Sequence, residues 1–93
     1  MVMIKVKLYK EETLKDAEYP QEEKYPSGKV IAIGNLIDKL SVPKVGERFI
    51  MQKQGFEGFI TSTVLEILED TDEYIRFKTR NSIYKLTYES SKI

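Results

Sequence analysis

The sequence predicts one small, mainly β domain across all 93 residues, built as a five- or six-stranded antiparallel curved sheet or barrel. In Tyr74–Thr79, and again in Ser82–Tyr88, apolar and polar side chains alternate with the period of two that a half-buried strand requires. Val2–Tyr9 shows the same alternation at the other end of the chain. We expect the remainder to hold a long acidic loop and at most one short helix.

The last two predicted strands are separated only by Arg80 and Asn81, which indicates a tight hairpin. A slip of one residue would move the apolar side chains to the wrong face of the sheet, so the register is well determined. It pairs Phe77 with Tyr84, Ile75 with Leu86 and Arg76 with Lys85.

The preceding strand is predicted over Phe59–Glu69, joined to the hairpin by an acidic turn. Continuing the core face onto it pairs Leu65 with Phe77, Ile67 with Ile75 and Thr63 with Thr79. The opposite face then places Glu66 across from Arg76, where the two charges form a cross-strand ion pair.

Residues 10–26 are rich in acids and contain two prolines, which predicts a long surface loop. Val30–Leu40 is ambiguous: a strand over Lys29–Ile33 followed by a helical turn over Leu36–Leu40 is favoured, and a single helix is the alternative. The loop, or the helical turn, is one candidate cover for the outer sheet face.

A turn at Val45-Gly46-Glu47 leads into an apolar strand around Phe49–Met51, and Gln54–Gly58 supplies the next reversal before the final three strands. This turn, strand and meander resemble the way the chain enters an SH3-like barrel. The resemblance implies a small barrel of SH3-like general character and implies no activity.

The composition excludes several kinds of chemistry. The chain has no cysteine and no histidine, so disulfides, thiolate metal sites and histidine-based catalysis are absent. The acidic run Glu69–Glu73 lacks the twelve-residue loop of a calcium site, and Gly55–Gly58 lacks the helix that follows a phosphate-binding loop. We therefore expect no catalytic residues, no metal, no cofactor and no enzyme activity.

The net charge is zero, so no overall positive field attracts polyanions. Residues 1–7 alternate apolar and cationic side chains and form neither a signal peptide nor a membrane span. A cytoplasmic protein without membrane contact is the expectation.

Two binding hypotheses follow from the outer face of the last three strands. The leading one is a non-enzymatic protein-interaction module, which meets an unidentified protein partner through a partly apolar outer face or self-associates through an open strand edge. Its predicted surface comprises Val64, Leu68, Tyr74 and Ile83.

The second hypothesis is a nucleic-acid-binding barrel that uses a basic row beside Tyr74, formed by Arg76, Lys78, Arg80 and Lys85. The plain alternative to both hypotheses is a solvated sheet face, against which the acidic loop lies.

Overall fold

The computed structural model describes residues 4–17, 25–36, 42–53 and 58–89. These residues form an all-β domain, as the sequence predicts, and include no helix. The strands are β1 (Ile4–Thr13), β2 (Lys29–Leu36), β3 (Arg48–Lys53), β4 (Gly58–Asp70), β5 (Tyr74–Thr79) and β6 (Ser82–Tyr88).

The strands follow one another around a closed barrel, each antiparallel to the next, and β6 returns to pair with β1. Closure satisfies the backbone groups that would otherwise line the edges of an open sheet. The joint between β2 and β3 is the narrowest in the described part of the chain, because the strands pair there only through Gly34–Lys53 and Asn35–Gln52.

The interior is filled by the inward-facing residues of all six strands. Phe77 is fully buried, and its ring lies 5.5 Å from that of Phe49 and 5.4 Å from that of Tyr84. Such aromatic contacts add to the free energy gained by burial. The rest of the described core consists of Val6, Leu8, Ala32, Leu36, Met51, Phe59, Val64, Ile75 and Leu86.

The predicted β5–β6 hairpin is confirmed in register as well as in position. Phe77 faces Tyr84, Ile75 faces Leu86 and Arg76 faces Lys85. The Thr79 hydroxyl accepts hydrogen bonds from the backbone N–H groups of Asn81 and Ser82 and donates one to the Ser82 carbonyl. These bonds hold the two-residue turn.

The predicted β4–β5 register is wrong. Val64 pairs with Thr79, Ile67 with Phe77 and Glu69 with Arg76, so none of the pairs expected for Thr63, Leu65, Glu66 and Ile67 forms. The register shifts twice, between Val64 and Glu66 and between Ile67 and Glu69. Each β-bulge inserts an extra residue into β4 and turns the following side chains to the other face.

β1 continues past its predicted end, so the predicted loop does not begin at Lys10. Lys10 pairs with Tyr84, Glu12 with Ile83 and Thr13 with Ser82 on β6. The hydrogen-bonding edge of β6 therefore extends the strand into a polar segment that the side-chain pattern alone indicates as loop. Residues 18–24 of the predicted loop lie outside the described residues.

β2 also extends beyond its predicted end at Ile33, since it pairs with β1 along its length and with β3 near its end. Residues 30–36, the first seven positions of the ambiguous stretch, belong to this strand, so the single-helix alternative is wrong. The predicted helical turn falls mainly on residues 37–40, outside the described part.

The turn before β3 is present, with Gly46 at φ +90°. Most of the predicted reversal before β4 is also undescribed.

Candidate functional site

Four large aliphatic side chains are exposed on β3, on β4 and in the turn before β3. Their exposed fractions are 59% for Val45, 57% for Ile50, 51% for Ile60 and 48% for Leu65. We call these four residues the β3–β4 patch. Their exposure contrasts with the buried Phe49, Met51, Phe59 and Thr61 that flank Ile50 and Ile60 along the strands.

Backbone pairing brings the members of the patch together as two pairs, Ile50 with Ile60 and Val45 with Leu65. Ile50 and Ile60 are directly opposite each other in the β3–β4 ladder. At the other end of the patch, the Gly46 N–H donates to the Val64 carbonyl and the Val64 N–H donates to the Glu47 carbonyl, both at 2.9 Å. These bonds place the turn that carries Val45 beside Leu65.

Charged residues of both signs adjoin the patch along the chain. Lys44 and Arg48 supply positive charge, Glu47 and Glu66 supply negative charge, and all four are exposed. None of them is ion-paired with another described residue. The patch therefore combines exposed aliphatic side chains with neighbouring charges of both signs, neither of which dominates.

The predicted apolar surface is not assembled as expected. Val64 is a core residue with 0% of its surface exposed, so its expected outward position is wrong. The first β-bulge of β4 is the cause, because it turns Val64 inward and Leu65 outward. Leu68, Tyr74 and Ile83 are half-buried.

Arg76 lies between two carboxylates on the outer face. Its Nε donates to Glu11 Oε1 at 2.9 Å, and its Nη1 donates to Glu69 Oε1 at 2.6 Å. Tyr74 Oη donates to the other oxygen of Glu69 at 2.8 Å. These contacts replace the expected pair of Arg76 with Glu66, and Glu11 reaches Arg76 from β1.

The hydrogen bonds of this cluster shift the pKa values of its members. The Arg76 guanidinium, followed by the Tyr74 hydroxyl, lowers the pKa of Glu69 below its usual value. The same carboxylate raises the pKa of Tyr74, because it accepts a hydrogen bond from the protonated phenol. Glu69 and then Glu11 raise the pKa of Arg76. The Arg76 charge is therefore compensated within the fold by two carboxylates.

The four residues of the predicted basic row have different surroundings. Arg76 forms ion pairs with the carboxylates of Glu11 and Glu69. The Lys85 ammonium lies 4.3 Å from the centre of the Tyr74 ring in a cation–π contact. Lys78 is half-buried between Glu66 and Ile83 in the sheet ladders, and Arg80 is exposed in the hairpin turn.

A cavity that the sequence did not reveal lies where the Tyr25 segment, β1, β3, β4 and the β5–β6 turn meet. Its volume is about 200 Å³. At its wall, only 1% of Lys10 is exposed, and the Lys10 ammonium donates to the Tyr25 backbone carbonyl at 2.8 Å. The lining residues are Lys10, Tyr25, Arg48, Phe59, Ile60, Thr61, Ser62, Asn81, Ser82 and Tyr84.

No pattern in the sequence pointed to this cavity. Lys10 opens a run of polar residues that is typical of a loop, and its burial follows from the pairing of β1 with β6. Tyr25 lies beside a proline in a turn, and its ring meets the edge of Phe59 at 5.2 Å. Burial raises the pKa of Tyr84, the third aromatic residue of the lining.

Comparison of the chain with protein-family models, curated proteins and solved structures finds no match. Within the described ranges, no helix is long and apolar enough to cross a membrane. In those ranges, too, no three carboxylates gather in a way that could hold a metal ion.

Proposed function

We propose that the chain is a non-enzymatic protein-interaction module that associates with a second copy of itself through the β3–β4 patch. The observation that carries the proposal is the grouping of four half-exposed aliphatic side chains, three on the paired strands β3 and β4 and one in the turn before β3. On a small domain, a group of exposed aliphatic side chains of this kind is characteristic of an interaction site. Its removal from water favours association by roughly 25 cal/mol for each Å² buried.

A second copy is the partner that the charges around the patch favour. A two-fold interface brings the same surface of both copies together, so each surface must be complementary to itself. With both signs around the patch, Lys44 or Arg48 of one copy can face Glu47 or Glu66 of the other. A net charge of zero adds no long-range repulsion between the copies.

Sedimentation velocity over a wide range of protein concentration tests this proposal. The patch variant is Ile50→Thr with Ile60→Thr, which keeps the β-branched shape while it removes apolar surface. The control is Val30→Thr with Ile33→Thr, since these β2 side chains are 47% and 42% exposed and lie outside the patch.

We expect the sedimentation coefficients of the wild type and of the control to rise with protein concentration. The coefficient of the patch variant should stay at the value of a monomer. A wild type that remains monomeric overturns the proposal. The proposal is also overturned if the β2 variant loses association and the patch variant keeps it, because the contact would then lie on the β2 side.

Nucleic-acid binding is the second-ranked proposal. It rests on Lys78, Arg80 and Lys85 near Tyr74, and the pairing of Arg76 with two carboxylates weakens it. Binding of single-stranded DNA or RNA would fall steeply with added salt and would be weakened by Lys78→Gln with Arg80→Gln. The absence of any mobility shift at low salt would end this proposal.

Two finer descriptions also stay proposals. The SH3-like character of the barrel is supported by the turn at Gly46 that leads into β3 and by the meander that follows. The cytoplasmic location remains a prediction from the sequence, and fractionation of cells that express the tagged chain tests it.

A further inference from the structure

We propose that β2 binds an extended acidic segment of a partner protein, which adds to the barrel as a further strand along residues 29–33. We call the side of these residues that faces away from β1 the β2 edge. The proposal goes beyond self-association, because it assigns a second surface and a different partner. Residues 29–33 include no member of the β3–β4 patch and no residue that lines the cavity.

The backbone of residues 29–33 is paired on one side only. β1 pairs with these residues on one side, whereas the described pairs between β2 and β3 involve only Gly34 and Asn35. Among the residues that the structure describes, none pairs with the β2 edge over residues 29–33. A strand edge of this kind presents N–H and C=O groups to which another strand can bind through main-chain hydrogen bonds.

The side chains along the β2 edge favour a partner strand with apolar residues. Val30 and Ile33 are both exposed. They lie opposite Tyr9 and Lys7 of β1, on the outer face of the sheet. They are three positions apart instead of two, because the bulge in this ladder adds Ile31 to β2. A strand bound at this edge would contact two β-branched side chains with the apolar residues of its own outer face.

The charges beside the β2 edge favour an acidic partner. Every charged residue of the β1–β2 ladder is a lysine, and β2 itself contains no acid. Lys29 and Lys5 are exposed and form no ion pair with another described residue, whereas Lys7 pairs with Glu89 at 3.0 Å. Glutamate or aspartate side chains in the bound strand would complement these lysines.

The same charges disfavour a second copy as the occupant of this edge. An antiparallel pair of β2 edges that sets Val30 opposite Ile33 also sets Lys29 opposite Gly34. It therefore brings Lys29 of each copy toward the part of the other copy where Lys5 and Lys7 lie. Like charges placed close together oppose association, so charge complementarity selects an acidic strand from another protein.

Fluorescence anisotropy of labelled, end-blocked heptapeptides titrated with the full-length chain tests the proposal. The acidic probe alternates valine with glutamate and threonine. A lysine probe carries lysine in place of glutamate, and an N-methylated probe carries methyl groups on its central backbone amides, which removes the donors that strand pairing needs. The protein is kept at concentrations where it sediments as a monomer.

We expect the acidic probe to bind about tenfold more tightly than either of the other two probes. Lys29→Glu should weaken binding of the acidic probe and strengthen binding of the lysine probe. Val30→Thr with Ile33→Thr should weaken binding of the acidic probe by about tenfold, because apolar contact is lost. Ile50→Thr with Ile60→Thr is the matched control and should bind this probe like the wild type. Failure to bind peptide is thus distinguishable from failure to self-associate.

NMR spectra of the ¹⁵N-labelled chain locate the bound probe. The acidic probe should shift the amides of residues 29–33 and slow the hydrogen exchange of those amides that point away from β1. Shifts centred on another strand would overturn the assignment.

Four further results would also overturn it. The first is no binding of the acidic probe at millimolar concentration. The second is equal affinity for the acidic probe and for the lysine or the N-methylated probe. The third is a β2 variant that binds the acidic probe like the wild type. The fourth is a set of intermolecular NOEs between the β2 edges of two copies, which would assign this edge to self-association.

Discussion

Val64 and Leu65 are adjacent and both apolar, yet their side chains lie on opposite faces of β4. Val64 is fully buried, whereas about half of Leu65 is exposed. The sequence alone cannot choose between them, because a strand with either residue facing inward shows acceptable alternation. The choice is made by the β-bulge that follows Val64.

Alanine substitution at these two positions tests that arrangement. Val64→Ala should lower the free energy of unfolding by about 2 kcal/mol, because it removes buried methyl groups and leaves a cavity. Leu65→Ala should change it by less than about 0.5 kcal/mol, as is usual for an exposed position. Urea denaturation measures both values. If Leu65→Ala lowered the free energy of unfolding more than Val64→Ala does, the result would contradict the observed register and support the one expected from the sequence.

Glu69 predicts how stability depends on pH. Because hydrogen bonds from Arg76 and Tyr74 lower its folded pKa below the usual 4.5, its ionised form stabilises the fold. That contribution is fully present above the usual pKa and is lost as the pH falls through the lowered folded pKa.

Substitution Glu69→Gln should therefore flatten part of the acid limb, so that stability falls less steeply below about pH 4.5 than in the wild type. Urea denaturation at a series of pH values provides the profile. Glu66→Gln is the control, since Glu66 is exposed and forms no ion pair within the described residues. Parallel profiles for the wild type and Glu69→Gln would contradict this account.

At the scale of elements, the β5–β6 hairpin could be predicted in full. Strict alternation and a two-residue loop leave one register in which Phe77 and Tyr84 share a face. β4 could be located, but its pairing could not be predicted, because its two bulges leave no recognisable mark in the sequence. Predicted registers were reliable only where a tight turn fixed them.

The candidate surfaces also depend on strand pairing that local sequence patterns do not determine. The sequence predicted apolar outer surface at Val64 and Leu68 of β4, but Val64 is buried, and the exposed aliphatic residues Ile50, Ile60 and Leu65 lie on β3 and β4 instead. The cavity was missed because Lys10 becomes buried only through pairing between the two ends of the chain. Such long-range pairing cannot be read from local patterns.

The turn before β3 carries a prediction of its own. Gly46 has φ +90°, and a Cβ added there would meet nothing within 4 Å, so only the backbone conformation disfavours another residue. Gly46→Ala should lower the free energy of unfolding by about 1 to 2 kcal/mol. Gly58→Ala should change it by less than about 0.5 kcal/mol, because its Cβ would be in ordinary contact with the Met51 carbonyl at 3.5 Å. Equal thermal unfolding curves for both variants would contradict this expectation.

At the scale of the whole molecule, the barrel is a ring with one narrow joint. The described residues of β2 and β3 pair only near Gly34 and Asn35, whereas β1 and β6 pair along most of their length. Local opening takes place where the fewest interactions must be broken. The β2–β3 joint is therefore the expected site of the first opening.

Native-state hydrogen exchange tests this order of opening. Amides that bond across the β2–β3 joint at Gly34 and Asn35 should exchange with lower opening free energies than the amides of Phe77 and Tyr84 in the β5–β6 hairpin. Uniform protection around the ring would contradict a narrow joint. The same spectra report on the β3–β4 patch and on the cavity, since Ile60 belongs to the patch and also lines the cavity.

The measurement that tests the central claim most directly is an isotope-filtered NOE experiment on a mixture of ¹³C-labelled and unlabelled chains at high concentration. Self-association through the β3–β4 patch predicts intermolecular NOEs from the methyl groups of Ile50, Ile60 and Leu65 of one copy to the same patch of the other. Absence of intermolecular NOEs, or NOEs confined to the outer face around Tyr74 and Lys85, would contradict it.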